Sequence, residues 1–239
     1  MEYIGVDACK KGWFAVCLGP DKRWAIGIFN SIGNLWRRFE KDSLILIDIP
    51  IGLPGSGKRR CDVEARKILR KRASSVFPVP CRQAVYADTY ANACRLNKKI
   101  LGVKLSIQTW KISEKIREVD NLLLRNIKAR RRIRESHPEI CFWALADGRP
   151  MMYYKKTARG FSERVNILNR IYPSSQEIVA EAITNYRRKD LAKDDILDAM
   201  VLAISASAGS GGIATIPHHP EKDPKGLSME IVYSNTGYK

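Results

Sequence analysis

The chain has 239 residues, 45% of them hydrophobic, which is enough for one large domain with a core and too apolar for a disordered chain. Lysine and arginine number 42 against 25 aspartate and glutamate, a formal net charge of +17 that points to a polyanionic partner such as nucleic acid. No apolar run spans a membrane, no charged-then-apolar leader opens the chain, and the six cysteines are scattered without a CxxC pair, which argues against membrane, secreted, zinc-ribbon and disulfide-framework classes and for a soluble, cytoplasmic protein.

YIGVD (3–7), GWFAVCLG (12–19) and RWAIGIF (23–29) read as three strands joined by short connections, hence an antiparallel meander. SIGNLWRRFE (31–40) reads as a short helix. LILIDIP (44–50) is a fourth strand, apolar on both faces as a central, doubly covered strand should be. RRCDVEARKILRKR (59–72) has helical character, and 73–90 is irregular around Pro78 and Pro80. Ile107, Trp110, Ile116, Val119 and Leu123 recur at helical spacing over 106–125. IKARRRIRE (127–135) alternates as a fifth strand, with Lys128, Arg130, Arg132 and Arg134 on one face and Ile127, Ala129, Ile133 and Glu135 on the other. Pro138 opens a helix to about Ala146. Further helices are expected over 161–172, 176–186 and 194–208, then a proline-rich tail (213–239) with a strand-like MEIVY. The pattern is an α/β domain with a mixed sheet, one domain over 1–239.

Asp7 ends the first strand and Asp48 the fourth, where α/β sheets place their sites. Glu135 ends the fifth. Asp194, Asp195 and Asp198 begin the last helix, and both Asp194 and Asp195 share a face with Asp198. Asp194 and Asp195 also suit a helix start, whereas Asp198 precedes AMVLAI and should be partly buried. Clustered carboxylates invite a divalent metal such as Mg²⁺ or Mn²⁺, and two such ions suit phosphodiester hydrolysis. The alternative is that Asp7 and Asp48 accept backbone N–H bonds in their turns. His137 has two readings, a proton-handling group near the metals or a histidine fixing a turn. His218 and His219 read as a solvated loop, and Lys155, Lys156 and Arg164 as phosphate contacts or solvated surface. GSGK (55–58) lacks the spacing of a phosphate loop.

GVDxxxxGW (5–13), LIDIPIGLP (46–54), RxCDxEARxxL (59–69), SSVFPVPCR (74–82), ESHPEICF (135–142) and DDILDA (194–199) together resemble domain-of-unknown-function family 429, as do SIQTWKISEKIREVD and DPKGLSMEIVY. That family is classed among predicted nucleases of ribonuclease H-like fold. The resemblance implies a mixed five-stranded sheet flanked by helices, with the fourth and fifth strands parallel to the first. It also implies two metals bound by acids on the first strand, the fourth strand and the last helix, positions that Asp7, Asp48 and Asp198 match. Asp195 falls in a resolvase-like DxxD pattern, and Glu135 matches the family's glutamate before HPE. The chain departs from a minimal ribonuclease H in a large, mostly helical insertion over about 59–128. Its Arg59, Arg60, Arg66, Arg72 and Arg82 either bind phosphate or pair with neighbours such as Asp62 and Glu64. The leading expectation is a Mg²⁺- or Mn²⁺-dependent nuclease. The alternatives are a nucleic-acid-binding module without catalysis and an actin-like nucleotide phosphotransferase, the latter disfavoured because one core occupies the whole chain.

Overall fold

Strands β1 (Glu2–Cys9), β2 (Gly12–Leu18) and β3 (Trp24–Phe29) form the antiparallel meander. The computed structural model describes residues 1–21 and 23–235; Lys22 and the end of the expected tail, 236–239, lie outside the described residues. Helix α1 (Ile32–Phe39) is started by Ser31, whose side chain accepts the Asn34 N–H. It returns the chain to β4 (Ser43–Ile47), which pairs parallel with β1 and, on its other edge, with β5 (Ile133–Glu135). The sheet order is β3-β2-β1-β4-β5, the mixed five-stranded sheet that the sequence leads one to expect.

Between β4 and β5 the chain is mostly helical: α2 (Arg60–Leu69), a 3-10 stretch (Arg70–Ser75), α3 (Arg82–Val85), α4 (Tyr90–Leu101), α5 (Ile107–Arg125) and α6 (Ile127–Arg132). Helix α4, capped by Thr89, is absent from the sequence reading. The strand expected over 127–135 is corrected to α6 followed by only three strand residues. Asn126 is the cause: its side chain accepts from the N–H groups of both Lys128 and Ala129 and so starts a helix. Ile127, expected on the non-basic face of a strand with Ala129, Ile133 and Glu135, is 61% exposed.

After β5 come α7 (Pro138–Leu145), α8 (Ala158–Ile171), α9 (Ser175–Asn185) and α10 (Lys193–Ser207). The chain then forms an antiparallel hairpin of β6 (Ile213–Lys222) and β7 (Ser228–Ser234). Strand β6 is a correction to the loop expected around His218 and His219, which lie on it, exposed. Its prolines hide it from pattern reading. They are tolerated because this is an edge of a two-stranded sheet, and the register shifts between Ile216 and Glu221, where they sit. No helix among the described residues is long and apolar enough to cross a membrane.

Alternation along the strands sorts side chains into two layers. Ile4 and Val6, Trp13, Ala15 and Cys17, and Ile45 and Ile47 join α1 and α5 in one core. Phe14, Val16, Leu18 and Leu46 join α7, α8, α9 and α10 in the other. Helix α10 is buried on all sides from Ile196 to Ala206 and lies directly across β1. Gly5 permits that contact, since a Cβ there would stand 2.0 Å from the Ala199 carbonyl oxygen and 2.2 Å from the Ala203 nitrogen. Gly5→Ala should therefore force α10 off the sheet and cost about 1–3 kcal/mol, measurable by chemical denaturation.

Candidate metal centre

The same alternation that places Gly5 under α10 places Asp7 there, two residues on. Along the neighbouring strand it sends Leu44, Leu46 and then Asp48 to that side. Asp48 lies one residue beyond β4, but its N–H still donates to the Val6 carbonyl at 2.9 Å, extending the ladder and setting it beside Asp7. Asp198 descends from the second turn of α10, next to the Ala199 that rests on Gly5. The three side chains converge: each offers a carboxylate oxygen, and these oxygens lie within 4.8 Å of one another. Asp7 and Asp198 are buried and Asp48 is half-buried.

Such crowding disfavours ionisation. Burial, and then the charges of Asp48, Asp198 and Asp195, hold Asp7 well above the usual carboxylate range. Burial raises Asp48 as well, against the opposing pull of His137 and Lys155. Asp198 is pushed up to about 6, mainly by burial, although Lys155 stands beside it. The Lys155 ammonium is 2.5 Å from one Asp198 oxygen and 3.8 Å from Asp194. Burial works against its charge, but the attraction of Asp198, Asp7 and Asp48 wins and raises its pKa. A hard divalent cation with oxygen ligands would relieve this repulsion, so the donor set fits Mg²⁺ or Mn²⁺.

Asp195 lines the cavity beside Asp7 and Asp48 and also closes the first turn of α10, accepting the Ala192 N–H at 3.0 Å. Glu135 lies outside the triad, although it lines the same cavity as Asp7, Asp48 and Asp195. Register pairs it with Ile47, on the side of the sheet opposite the one that carries Leu46 and Asp48. There Arg59 takes both its carboxylate oxygens, at 2.6 and 2.7 Å, and the Ile51 N–H donates to it at 2.6 Å. Burial pushes Glu135 up to about 7 despite that arginine.

The five arginines all have partners within the chain. Arg59 is buried between Glu135 and Asp62, and Arg60 pairs with Glu64. Arg66 donates to the Val76 carbonyl, Arg72 to those of Met151 and Met152, and Arg82 binds Asp120 and Asp223.

Two cavities flank the triad. One, about 230 Å³, sets Asp7, Asp48 and Asp195 against an apolar wall that includes Phe77, Val79 and Ile112. The other, about 380 Å³, sets Asp48 and Asp198 against Glu139, Arg72 and Lys156. Lys155 and His137 line both. Nε2 of His137 is 3.3 Å from the Ser75 carbonyl, while its buried Nδ1 has no partner among the described residues.

Sequence reasoning misses Glu139 and undervalues Lys155 and Arg164. Glu139 is buried, with one oxygen on Arg164 and the other unpartnered, and its charge raises Asp48 and Asp198. Its signal is faint: a carboxylate in the first turn of a helix whose following residues, ICF, are apolar. Lys155 has no sequence signal, because only the fold brings its loop over α10.

No curated protein and no solved structure matches the chain. The model of the family described as protein of unknown function (DUF429) matches residues 5–222, and the chain belongs to that family.

Proposed function

We propose that the protein is a metal-dependent nuclease on a ribonuclease H-like scaffold. The observation that carries this reading is the convergence of Asp7, Asp48 and Asp198 from β1, the end of β4 and α10, on one side of a sheet ordered β3-β2-β1-β4-β5. Three oxygen donors suit Mg²⁺ or Mn²⁺, with the two-ion arrangement as the starting expectation. A bound ion would screen the carboxylates and supply Lewis acidity to a phosphodiester and the water that attacks it. The chain's own part is positional. Asp7 is oriented by accepting the Ala8 N–H at 2.7 Å. Asp195, which lines the cavity beside Asp7, would be placed to hold a water on the ion. His137, with Nδ1 unpartnered between the two cavities, is placed to exchange a proton with a departing oxygen. Arg72, Lys155 and Lys156 give the larger cavity a cationic wall suited to a phosphate, and the +17 net charge favours a polyanion over a small neutral substrate.

The test is cleavage of single-stranded, duplex, RNA–DNA hybrid and junction substrates in Mg²⁺ or Mn²⁺, each with and without excess chelator. At least one substrate should be cut only when the ion is present. Salt-sensitive binding with no cleavage of any substrate would leave a nucleic-acid-binding module in its place.

A further inference from the structure

Residues 149–157 form no regular element; Met151 is buried in the core, but Met152, Tyr153 and Tyr154 are exposed, so apolar burial does little to hold those three. Hydrogen bonds hold them instead. Arg72 donates to the carbonyls of Met151 and Met152 at 2.9 and 2.7 Å, and its guanidinium lies 4.4 Å from the centre of the Tyr154 ring. Glu163 accepts the N–H groups of Met152 and Tyr153 at 2.8 and 3.0 Å. Arg164, only 1% exposed, donates to the Tyr153 carbonyl with one nitrogen and grips Glu139 with another. Gly160 lets α8 close on the loop, where a Cβ would stand 1.9 Å from the Tyr154 carbonyl oxygen. Three charged side chains and a required glycine thus fix a surface loop up to the residue just before Lys155. A lysine meant only for solvent needs none of this. This one is delivered to Asp198 and Asp194 and faces both cavities.

Charge then limits what else the site can take. A bound ion would draw all three carboxylates of the triad into their ionised form, three negative charges in one place. One ammonium and one divalent ion neutralise them, whereas a second divalent ion would leave a surplus in a largely buried place, where uncompensated charge is costly. We propose that Lys155 is a permanent cation of this centre, standing where a second divalent ion would go, so that the triad loads one ion per chain. The proposal rests on reading the triad as a metal site, and it replaces the second ion of that reading with a side chain.

The experiment is a Mn²⁺ titration of the full chain, with free Mn²⁺ followed by electron paramagnetic resonance and binding heat by calorimetry. Wild type should bind one Mn²⁺. Lys155→Met should bind two, with the first held about tenfold more tightly because a competing positive charge is gone. Lys155→Arg should stay at one. Glu163→Ala, which removes both acceptors of the Met152 and Tyr153 N–H groups, loosens the loop and leaves the triad intact, should admit a second, weaker ion, and it keeps the question open to measurement if Lys155→Met does not fold. Two ions in wild type, unchanged in Lys155→Met, would overturn the proposal, the lysine having merely swung aside; the metal reading would survive. No Mn²⁺ on wild type or on any variant would overturn both.

Discussion

Asp7→Asn should abolish ion-dependent cleavage, by at least about 100-fold, while making the metal-free protein more stable. The two effects share a cause. Asp7 is central to the triad, flanked by Asp48 on the neighbouring strand and Asp198 on the helix above. Loss of groups that merely orient metal ligands costs about 10–100-fold, so loss of a ligand should cost more. The same carboxylate is a burden on the metal-free fold, since burial and three like charges oppose its ionisation. An amide of the same shape removes that burden, and the melting temperature at neutral pH in chelator should rise by roughly 2–4 °C for each kcal/mol released.

The sign of the pH dependence follows. Asp198 has a folded pKa of about 6 against an ordinary 3.8, so the folded state binds a proton more tightly than the unfolded chain does. The stability this contributes is fully present below about 3.8 and is lost as pH rises through about 6. Wild type in chelator should therefore melt higher at pH 5 than at pH 7. Mg²⁺ should restore stability at pH 7, and Asp7→Asn should lose most of the Mg²⁺ response while keeping the part of the pH response that burial of Asp198 causes. A chain that melts identically with and without the ion at pH 7, and gains nothing from Asp7→Asn, would remove the metal centre from consideration.

How much of this site is legible in the sequence depends on which structural rule carries each residue. Asp7 and Asp48 are legible because each follows an apolar run in which a carboxylate stands out, although β1 itself continues past Asp7 to Cys9. Asp198 is legible because a carboxylate about a turn inside a helix and directly before AMVLAI should be at least partly buried. Glu135 fits the same description, an acid at a strand end, and lines the same cavity, but its register with Ile47 keeps it out of the triad. Its alternation with Ile133 is visible in the sequence, whereas the register that matches it to Ile47 is not, and register decides the face. The α6 segment shows the complementary failure. IKARRRIRE satisfies a period of two as written, and the capping bonds from Asn126 override it. Lys155, Arg164 and Glu139 escape for a third reason. Each acts through partners 25 or more residues away, Lys155 on Asp198 and Arg164 on Glu139, and no local pattern encodes such pairs.

Replacing Arg59 with methionine should destabilise the fold by roughly 3–5 kcal/mol, read from urea denaturation at pH 7.5. Arg59 is 2% exposed and spends its whole guanidinium on the protein: two oxygens of Glu135, the carboxylate of Asp62, and the carbonyls of Ile51 and Gly52. Methionine fills the volume but leaves two buried acids facing each other. Lysine should rescue poorly, because one ammonium cannot reproduce that fork of bonds. Glu135 stands at about 7 even with Arg59 in place, so its contribution to stability falls as pH rises from its ordinary 4.5 through 7. Without Arg59 that window moves upward, and the deficit of Arg59→Met should be larger at pH 8 than at pH 5. Adding Glu135→Gln to Arg59→Met should recover at least about 1 kcal/mol, because the pair is coupled and the neutral amide no longer needs a cation. Equal stabilities for wild type and Arg59→Met, or a double variant worse than the single, would show that the buried pair is not what holds these elements together. The consequence reaches the metal centre by a short path. Through its bonds to Ile51 and Gly52, Arg59 anchors the buried turn that follows Asp48, so Arg59→Met should also weaken Mn²⁺ binding although it touches none of the three ligands. Glu135 is then part of the site's support: a carboxylate outside the triad but lining the same cavity, which fixes, through one arginine, where Asp48 can stand.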